Sequence, residues 1–145
     1  AYAKGNYLDA LTLGEKSFTK YAGHPDSTKI LLLAGKAALA AGEYSTAEVH
    51  FERLLKEHSG TSEALEAGFR LGLLNFRLKK YSQASALFER VLALAPESDF
   101  EYRALYWRWR SQQKVDKEKA FEVAKALIEK YPLTYYGIRA QAETN

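Results

Sequence analysis

Apolar residues recur at intervals of three and four along most of the chain, and this spacing predicts amphipathic helices. Between residues 44 and 57 the pattern puts Phe51, Leu54 and Leu55 on one face. Phe88, Val91 and Leu92 repeat that arrangement further along the chain, so both triplets are expected in a core. The sequence therefore predicts an all-α protein of about eight helices. These cover residues 6–21, 28–41, 44–57, 62–79, 81–94, 99–113, 116–130 and 134–143.

The pattern repeats along the chain with a nearly fixed period. The segments "GNYLDALTLGEKSF", "GEYSTAEVHFERLL", "KKYSQASALFERVL" and "VDKEKAFEVAKALI" align on Ala10, Ala47, Ala84 and Ala120, at intervals of 37, 37 and 36 residues. A second apolar helix precedes the last three. Each unit is therefore predicted to be a helix, a short turn and a second helix.

Small residues mark where the two helices of a unit are expected to touch. Gly35 and Gly72 lie twelve residues before their alanines, and a larger side chain there would hold the backbones apart. Arg108 has the equivalent position in the next unit. A guanidinium in such a contact must either displace a helix or find a carboxylate. We therefore expect opened or rotated packing in that unit.

These features together resemble the tetratricopeptide repeat (TPR). The matching elements are Gly-x-Tyr-x-x-Ala, phenylalanine four residues after the alanine, and proline at Pro96 and Pro132, where a second helix must end. The resemblance covers nearly the whole chain and implies an α-solenoid of helix pairs in a right-handed superhelix. It predicts one domain, 1–145, which comprises a half repeat (1–25), repeats 26–60, 61–97 and 98–133, and a capping helix (134–145).

Composition limits the classes of partner. The chain has 145 residues and a formal net charge of +3, with acidic and basic residues interleaved. A nucleic-acid partner is therefore not expected, and no apolar run approaches the ~20 residues of a membrane span. Cysteine and methionine are both absent. The missing methionine indicates a processed chain or a fragment of a larger protein.

No candidate catalytic site emerges from the sequence. The histidines are His24, His50 and His58, and their spacing does not suit a shared metal. Neither a nucleophile motif nor a glycine-rich phosphate loop is present. We expect no catalytic residue, cofactor or metal, and no enzymatic activity in this chain.

Function is then expected on a surface formed by the first helix of each pair, on the concave side. This wall mixes aromatic, amide and cationic groups, which suits an extended peptide, a sugar chain or another domain. Tyr102 and Trp109 are expected to be exposed. Phe69 and Leu73 fit packing between repeats as well as they fit an exposed binding role. The predicted inward positions are Lys29, Leu32, Lys36, Glu66, Phe69, Leu73, Arg77, Tyr102, Trp109, Gln112 and Gln113.

A second resemblance covers roughly the last 40 residues. "RALYWRWR" (103–110) and "YPLTYYGIRA" (131–140) are similar to the end of the helical superhelix of soluble lytic transglycosylases. That family cleaves peptidoglycan in the bacterial periplasm with a separate catalytic domain that uses one glutamate. Arg108 and "KVDKEK" depart from its usual small residue and Gly-Asp turn. The matching residues are Ala104, Leu105, Tyr106, Trp107, Tyr131, Pro132, Thr134, Tyr135, Tyr136, Gly137 and Ala140.

This resemblance implies a non-catalytic periplasmic module that positions glycan strands or cell-wall proteins for a catalytic domain. The alternative is a stand-alone TPR adaptor that binds a peptide or protein in its concave groove.

The C-terminal phrase is predicted to be a cap helix and, from the second resemblance, the seam to a catalytic domain, formed by Tyr135, Tyr136 and Gly137. We expect Tyr135 and Ile138 to pack back on the preceding pair, with Gly137 allowing close backbone approach. Thr134 is the expected N-cap of this helix, and Ser98 a possible N-cap of an earlier one.

Overall fold

The computed structural model describes residues 23–145 and, before them, residues 5, 9, 12, 13, 16, 17, 19 and 20. The predicted helix 6–21 thus falls mostly outside the described residues. From residue 23 onwards all regular elements are helical, which confirms the all-α prediction. The helices are α1 (Ser27–Ala41), α2 (Tyr44–Glu57), α3 (Ser62–Arg77), α4 (Tyr81–Leu94), α5 (Glu101–Gln112), α6 (Lys117–Lys130) and α7 (Tyr135–Thr144).

The chain divides into two compact units, Ala1–Ala67 and Gly68–Asn145. Each is described by itself below. The organisation into one domain with the repeat boundaries given above stays a prediction.

In the first unit, α1 packs against α2 through the predicted glycine contact. A Cβ atom built on Gly35 would lie 2.5 Å from Cε1 of Phe51. Phe51 and Leu54 are fully buried, so the core predicted from the apolar spacing is confirmed here. The absence of a side chain at Gly35 is what lets the phenylalanine ring lie against the helix backbone.

The second unit repeats this contact and then departs from it. A Cβ on Gly72 would lie 2.6 Å from Cε1 of Phe88, which is also fully buried. In the pair formed by α5 and α6, the same two positions hold Arg108 and Ala124. In this pair the large Arg108 therefore stands at the glycine position, and the small Ala124 stands at the phenylalanine position.

Arg108 was expected either to displace a helix or to pair with a carboxylate, and the structure shows the pairing. Its Nη2 donates a hydrogen bond to Oε1 of Glu89 in α4, at 3.2 Å, so the guanidinium finds a carboxylate. A surface groove of about 520 Å³ lies beside it, lined by Leu105, Val123 and other residues of α5 and α6. The exchange therefore leaves space at the surface of this pair.

The one-residue change in period lies between the pairs, because the glycine position and the alanine are twelve residues apart in each of the three pairs. The turns inside the pairs differ in another way. Gly42 (φ 78°) and Lys79 (φ 60°) both take the left-handed conformation that ends a helix. The third turn, residues 113–116, has no such residue. It ends instead at Asp116, whose carboxylate accepts hydrogen bonds from the backbone N–H groups of Glu118 and Lys119.

Helix α7 begins as predicted. The Thr134 hydroxyl accepts a hydrogen bond from the Gly137 N–H at 3.1 Å, which confirms the N-cap. A Cβ at Gly137 would overlap the carbonyl oxygen of Tyr131, so the predicted close approach is also confirmed. The Ser98 prediction is wrong, because α5 begins only at Glu101, with Phe100 at the N-cap position.

The face by which α7 packs is not the predicted one. Tyr135 is 64% exposed and Ile138 is 55% exposed, so neither packs back on the preceding pair. Tyr136 and Ala140, at i and i+4, contact the core instead. The small residues Gly137 and Ala140 let the helix approach on their side, and that turns Tyr135 and Ile138 outwards.

Candidate functional site

The predicted inward positions of α5 point mostly towards other helices. Trp109 is 1% exposed and belongs to the core with α6, so its expected exposure is wrong. Gln112 Nε2 donates to Ser85 Oγ in α4, at 2.7 Å. Tyr102 is half-buried, with its ring centroid 5.7 Å from that of Tyr131 and 5.6 Å from that of Tyr136.

The error has a physical cause. The predicted inward face follows the repeat register, in which the glycine position of α5 holds Arg108. With a carboxylate partner in α4, the guanidinium no longer marks a close helix contact. Trp109 then fills the space against α6, since burial of its large apolar ring is strongly favourable. The open side of α5 is therefore set by different residues from those predicted.

The α3 positions resolve the alternative left open by the sequence. Phe69 is 9% exposed, and its ring lies 5.8 Å from that of Phe88 and 5.6 Å from that of Phe100. Phe69 is therefore a packing residue. Leu73 is half-buried, and Arg77 is exposed at the last residue of α3.

Of the remaining predicted positions, Leu32 is buried in the core and the others are polar. Lys29 pairs with Asp26 at 3.2 Å, and Lys36 pairs with Glu66 at 3.5 Å. Gln113 is half-buried beside Trp109. A binding role for these residues stays a prediction.

The side of α5 that sequence reasoning missed carries two arginines, and α7 adds a third. Arg103 and Arg110 are half-buried and seven residues apart, which places them two helical turns apart. Arg139 is exposed on α7. We call these three residues, together with the tyrosines among them, the arginine face; its tyrosines are Tyr102, Tyr106, Tyr135 and Tyr136.

Arg103 is held in place by aromatic rings. Its guanidinium carbon lies 4.9 Å from the ring centroid of Phe100 and 5.8 Å from that of Phe69. Its Nε and Nη2 both donate to the backbone carbonyl of Asp99, each at 3.4 Å. Because rings and backbone orient the guanidinium, little side-chain entropy is lost when it binds a further acceptor.

Arg110 and Arg139 share one carboxylate. Glu143 Oε2 accepts from Arg110 Nη1 at 2.6 Å, and its Oε1 accepts from Arg139 Nε at 3.0 Å. Arg139 Nη1 also donates to the Tyr135 hydroxyl at 3.0 Å. The hydrogen bond from Arg139 holds the pKa of the Glu143 carboxyl below its usual range, and the charge of Arg110 adds to this effect. Glu143 is therefore ionised at neutral pH.

Tyrosine rings connect the two helices beneath these charges. The centroids of Tyr106 and Tyr136 are 4.8 Å apart, and the guanidinium of Arg110 lies 5.9 Å from the Tyr106 ring. The arginine face thus combines guanidinium groups with tyrosine rings that are packed against one another. Such a surface can bind an anionic and partly apolar ligand, but it offers no nucleophile or general base poised for a reaction.

The buried side chain of Glu101 connects α5 to the end of α6. Glu101, almost fully buried, accepts hydrogen bonds from Lys130 Nζ at 2.6 Å, from the Glu97 N–H at 2.8 Å, and from the Tyr131 hydroxyl. Burial raises its pKa, but the bonds from Lys130 and Tyr131 outweigh that effect and leave the pKa lowered. Burial together with the bond to Glu101 raises the pKa of Tyr131 to about 12. This network joins the start of α5 to the end of α6.

The Glu101 network predicts a pH-dependent stability. Because the folded-state pKa of Glu101 is lowered, its contribution is present above the unfolded pKa and is lost as the pH falls through the folded value. We expect the urea midpoint to fall on acidification below the usual glutamate range. The Glu101→Gln variant should show a smaller fall over the same range, whereas Glu129→Gln, exposed on α6, should behave as the parent chain. Parallel curves for Glu101→Gln and the parent would contradict this assignment.

Metal and membrane functions receive no support from the described part of the chain. Among those residues, no three His, Cys, Asp or Glu side chains gather as a metal site would require. Nor does any helix there have the length and apolar character of a membrane span.

One signal in the sequence could have located the arginine face. "RALYWRWR" contains two tryptophans two residues apart, which a helix places on widely separated sides. Assigning Trp109 to the core puts Arg103 and Arg110 on the open side. The bridging role of Glu143 has no comparable signal, because it depends on how α7 packs against α5.

Comparison with known proteins agrees with this helical architecture. Residues 38–106 match the tetratricopeptide repeat family. The chain is also similar to a solved structure of the nearly identical TPR-like repeats of a Podosopora anserina protein described as a kinesin light chain. The TM-score is 0.70 and the sequence identity is 18%. That alignment covers 96% of this chain and 76% of the other. A single-residue variant of the same protein matches with the same values.

No curated protein matches the chain. The structural similarity shows a TPR-like solenoid fold. None of these comparisons points to a transglycosylase.

Proposed function

We propose that this chain is a protein-binding scaffold whose arginine face binds an extended segment of a partner protein. The observation that carries the proposal is the convergence of Arg103, Arg110 and Arg139 over tyrosine rings on α5 and α7. Arg110 and Arg139 contact one carboxylate, Glu143, and Arg103 lies two helical turns from Arg110 along α5, so these four residues carry an excess of two positive charges.

Several physical features support a peptide ligand. The face is built on two packed helices, so its groups are already positioned before a ligand arrives. Tyrosine and arginine are the residue types that contribute most to binding energy at protein interfaces. Guanidinium groups also hydrogen-bond to peptide carbonyls and carboxylates alike.

The test is a peptide array probed with the purified chain and with the variant Arg103→Glu/Arg139→Glu. We expect a subset of peptides to bind the parent chain and to lose at least about tenfold in signal with the variant, as expected for loss of about 1.4 kcal/mol or more. The matched control is Lys56→Glu/Lys125→Glu, which makes the same change in charge at exposed positions of α2 and α6. Absence of any binding peptide, or equal loss in both double variants, would refute the proposal.

The periplasmic transglycosylase module is the second candidate. It rests on the resemblance of residues 103–110 and 131–140 to that family, and it implies binding of glycan strands. The same purified chain would be titrated with soluble peptidoglycan disaccharide oligomers while the amide signals of Tyr102, Arg103 and Arg139 are followed by NMR. Saturable shifts at these residues are expected under this candidate; unshifted amides would remove it.

A further inference from the structure

Glu143 is placed where a ligand carboxylate would be expected to bind. Its two oxygens divide between Arg110 and Arg139, one to each, which is the way a guest carboxylate bridges two guanidinium groups. Its side chain and those of both arginines keep between 28% and 44% of their accessible surface. The bridge is thus open to solvent and to a competing anion.

We propose that Glu143 is an internal substitute for a partner's carboxylate, and that an acidic peptide displaces it from Arg110 and Arg139. This inference rests on the proposed function and names the chemistry of its ligand. The acidic side chain takes the place of Glu143 between the two arginines, while the peptide runs along α5 towards Arg103.

The free energies allow such an exchange. Ion pairs at exposed sites contribute little to stability, because solvent screens the charges and ordering the side chains costs entropy. Displacing Glu143 therefore costs little. A ligand carboxylate recovers the same two hydrogen bonds, and the rest of the peptide gains the contacts with the tyrosine rings.

Arg103 gives the ligand a spacing. Seven residues of α-helix separate Arg103 from Arg110, a rise of about 10 Å. In an extended polyproline-type peptide, residues three apart lie on the same side at a distance of about 9 Å. The geometry therefore favours two acidic residues three positions apart, one for the Arg110–Arg139 pair and one for Arg103.

The test uses fluorescence anisotropy with a labelled dodecapeptide, four repeats of Glu-Pro-Ala, and its counterpart with glutamine for glutamate. We expect the glutamate peptide to bind more tightly to the parent chain, and less tightly as salt is raised. Glu143→Gln should tighten that binding by about two- to fivefold, since the competing carboxylate is gone. Arg110→Gln should weaken it.

Two controls separate this effect from overall charge. Glu122→Gln removes the same charge on α6 beside Arg108, and it should leave the affinity unchanged. A peptide with its four glutamates adjacent has the same composition and should bind more weakly than the spaced one. Retained helicity and urea midpoint of Glu143→Gln would show that α7 remains packed.

The outcomes are distinct for the two proposals. Unchanged or weaker binding of the glutamate peptide by Glu143→Gln overturns the displacement, even if the array shows peptides at the arginine face. If the glutamate and glutamine peptides bind equally, the acidic ligand is refuted while the scaffold function stands. Failure of every peptide in the array would instead count against the scaffold function itself.

Discussion

Replacement of Trp109 by alanine is expected to lower the free energy of unfolding by about 3–5 kcal/mol, the usual cost of removing a buried tryptophan side chain. Trp109 is 1% exposed and lies in the core shared by α5, α6 and α7. Its loss would leave a cavity among Leu105, Ala120 and their neighbours that a helix pair cannot close without moving. Such a cost is a large fraction of the stability of a domain.

The chain contains its own matched control. Trp107, two residues away on the same helix, is half-buried against Phe76, with ring centroids 5.2 Å apart. Trp107→Ala should therefore cost clearly less than Trp109→Ala. Urea denaturation followed by circular dichroism gives both values, and the milder Trp109→Phe keeps the comparison measurable if the alanine variant unfolds.

Fluorescence gives an independent readout, because the chain has only two tryptophans. In Trp107→Phe the remaining indole should emit at short wavelength and resist quenching by acrylamide. In Trp109→Phe the remaining indole should be quenched more readily. Equal quenching, or a greater stability loss for Trp107→Ala, would show that α5 presents the opposite side and that the arginine face is misplaced.

The sequence was sufficient for the helices from residue 27 onwards and for two of the helix contacts, because both depend on short-range patterns. Apolar spacing of three and four placed Phe51 and Phe88 in the core, and the repeat placed Gly35 and Gly72 beneath them. Each contact lies within one helix pair, so the repeat period fixes its register. No long-range packing had to be known.

The candidate site could not be predicted in the same way. Its residues depend on which side of α5 packs against α6, and Trp109 is the residue buried there. The facing of α7 likewise depends on the backbone contact at Gly137 rather than on its apolar residues. These contacts join separate helices, and a pattern read along one helix does not contain them.

The second resemblance has a related limit. Of the residues that carry it, Leu105, Tyr106, Gly137 and Ala140 are buried where α5, α6 and α7 meet. Buried residues of this kind specify how helices pack, and packing alone does not determine chemistry. The resemblance therefore concerns residues that pack helices, and the proposed glycan ligand depends on the NMR titration.

The large residue at position 108 and the small residue at position 124 lead to a second prediction about the free energy of unfolding. Ala124→Phe alone should destabilise the chain by about 1–3 kcal/mol, because it forces a ring into a site where Ala124 is 1% exposed. Arg108→Gly alone should also destabilise, since it places glycine inside a helix, at about 1 kcal/mol, and removes the partner of Glu89. Both single changes disturb a contact that fits as it stands.

The double variant Arg108→Gly/Ala124→Phe rebuilds the contact seen twice elsewhere in the chain. The new ring can lie on a bare helix backbone, as Phe51 lies on Gly35 and Phe88 on Gly72. We therefore expect a favourable coupling of about 0.5–3 kcal/mol in a double-mutant cycle measured by urea denaturation. Lys125→Phe adds the same ring at an exposed neighbouring position and should show no coupling to Arg108→Gly. Strict additivity at 108 and 124 would mean that this pair of helices meets differently from the others, and that arginine at 108 is not the counterpart of the two glycines.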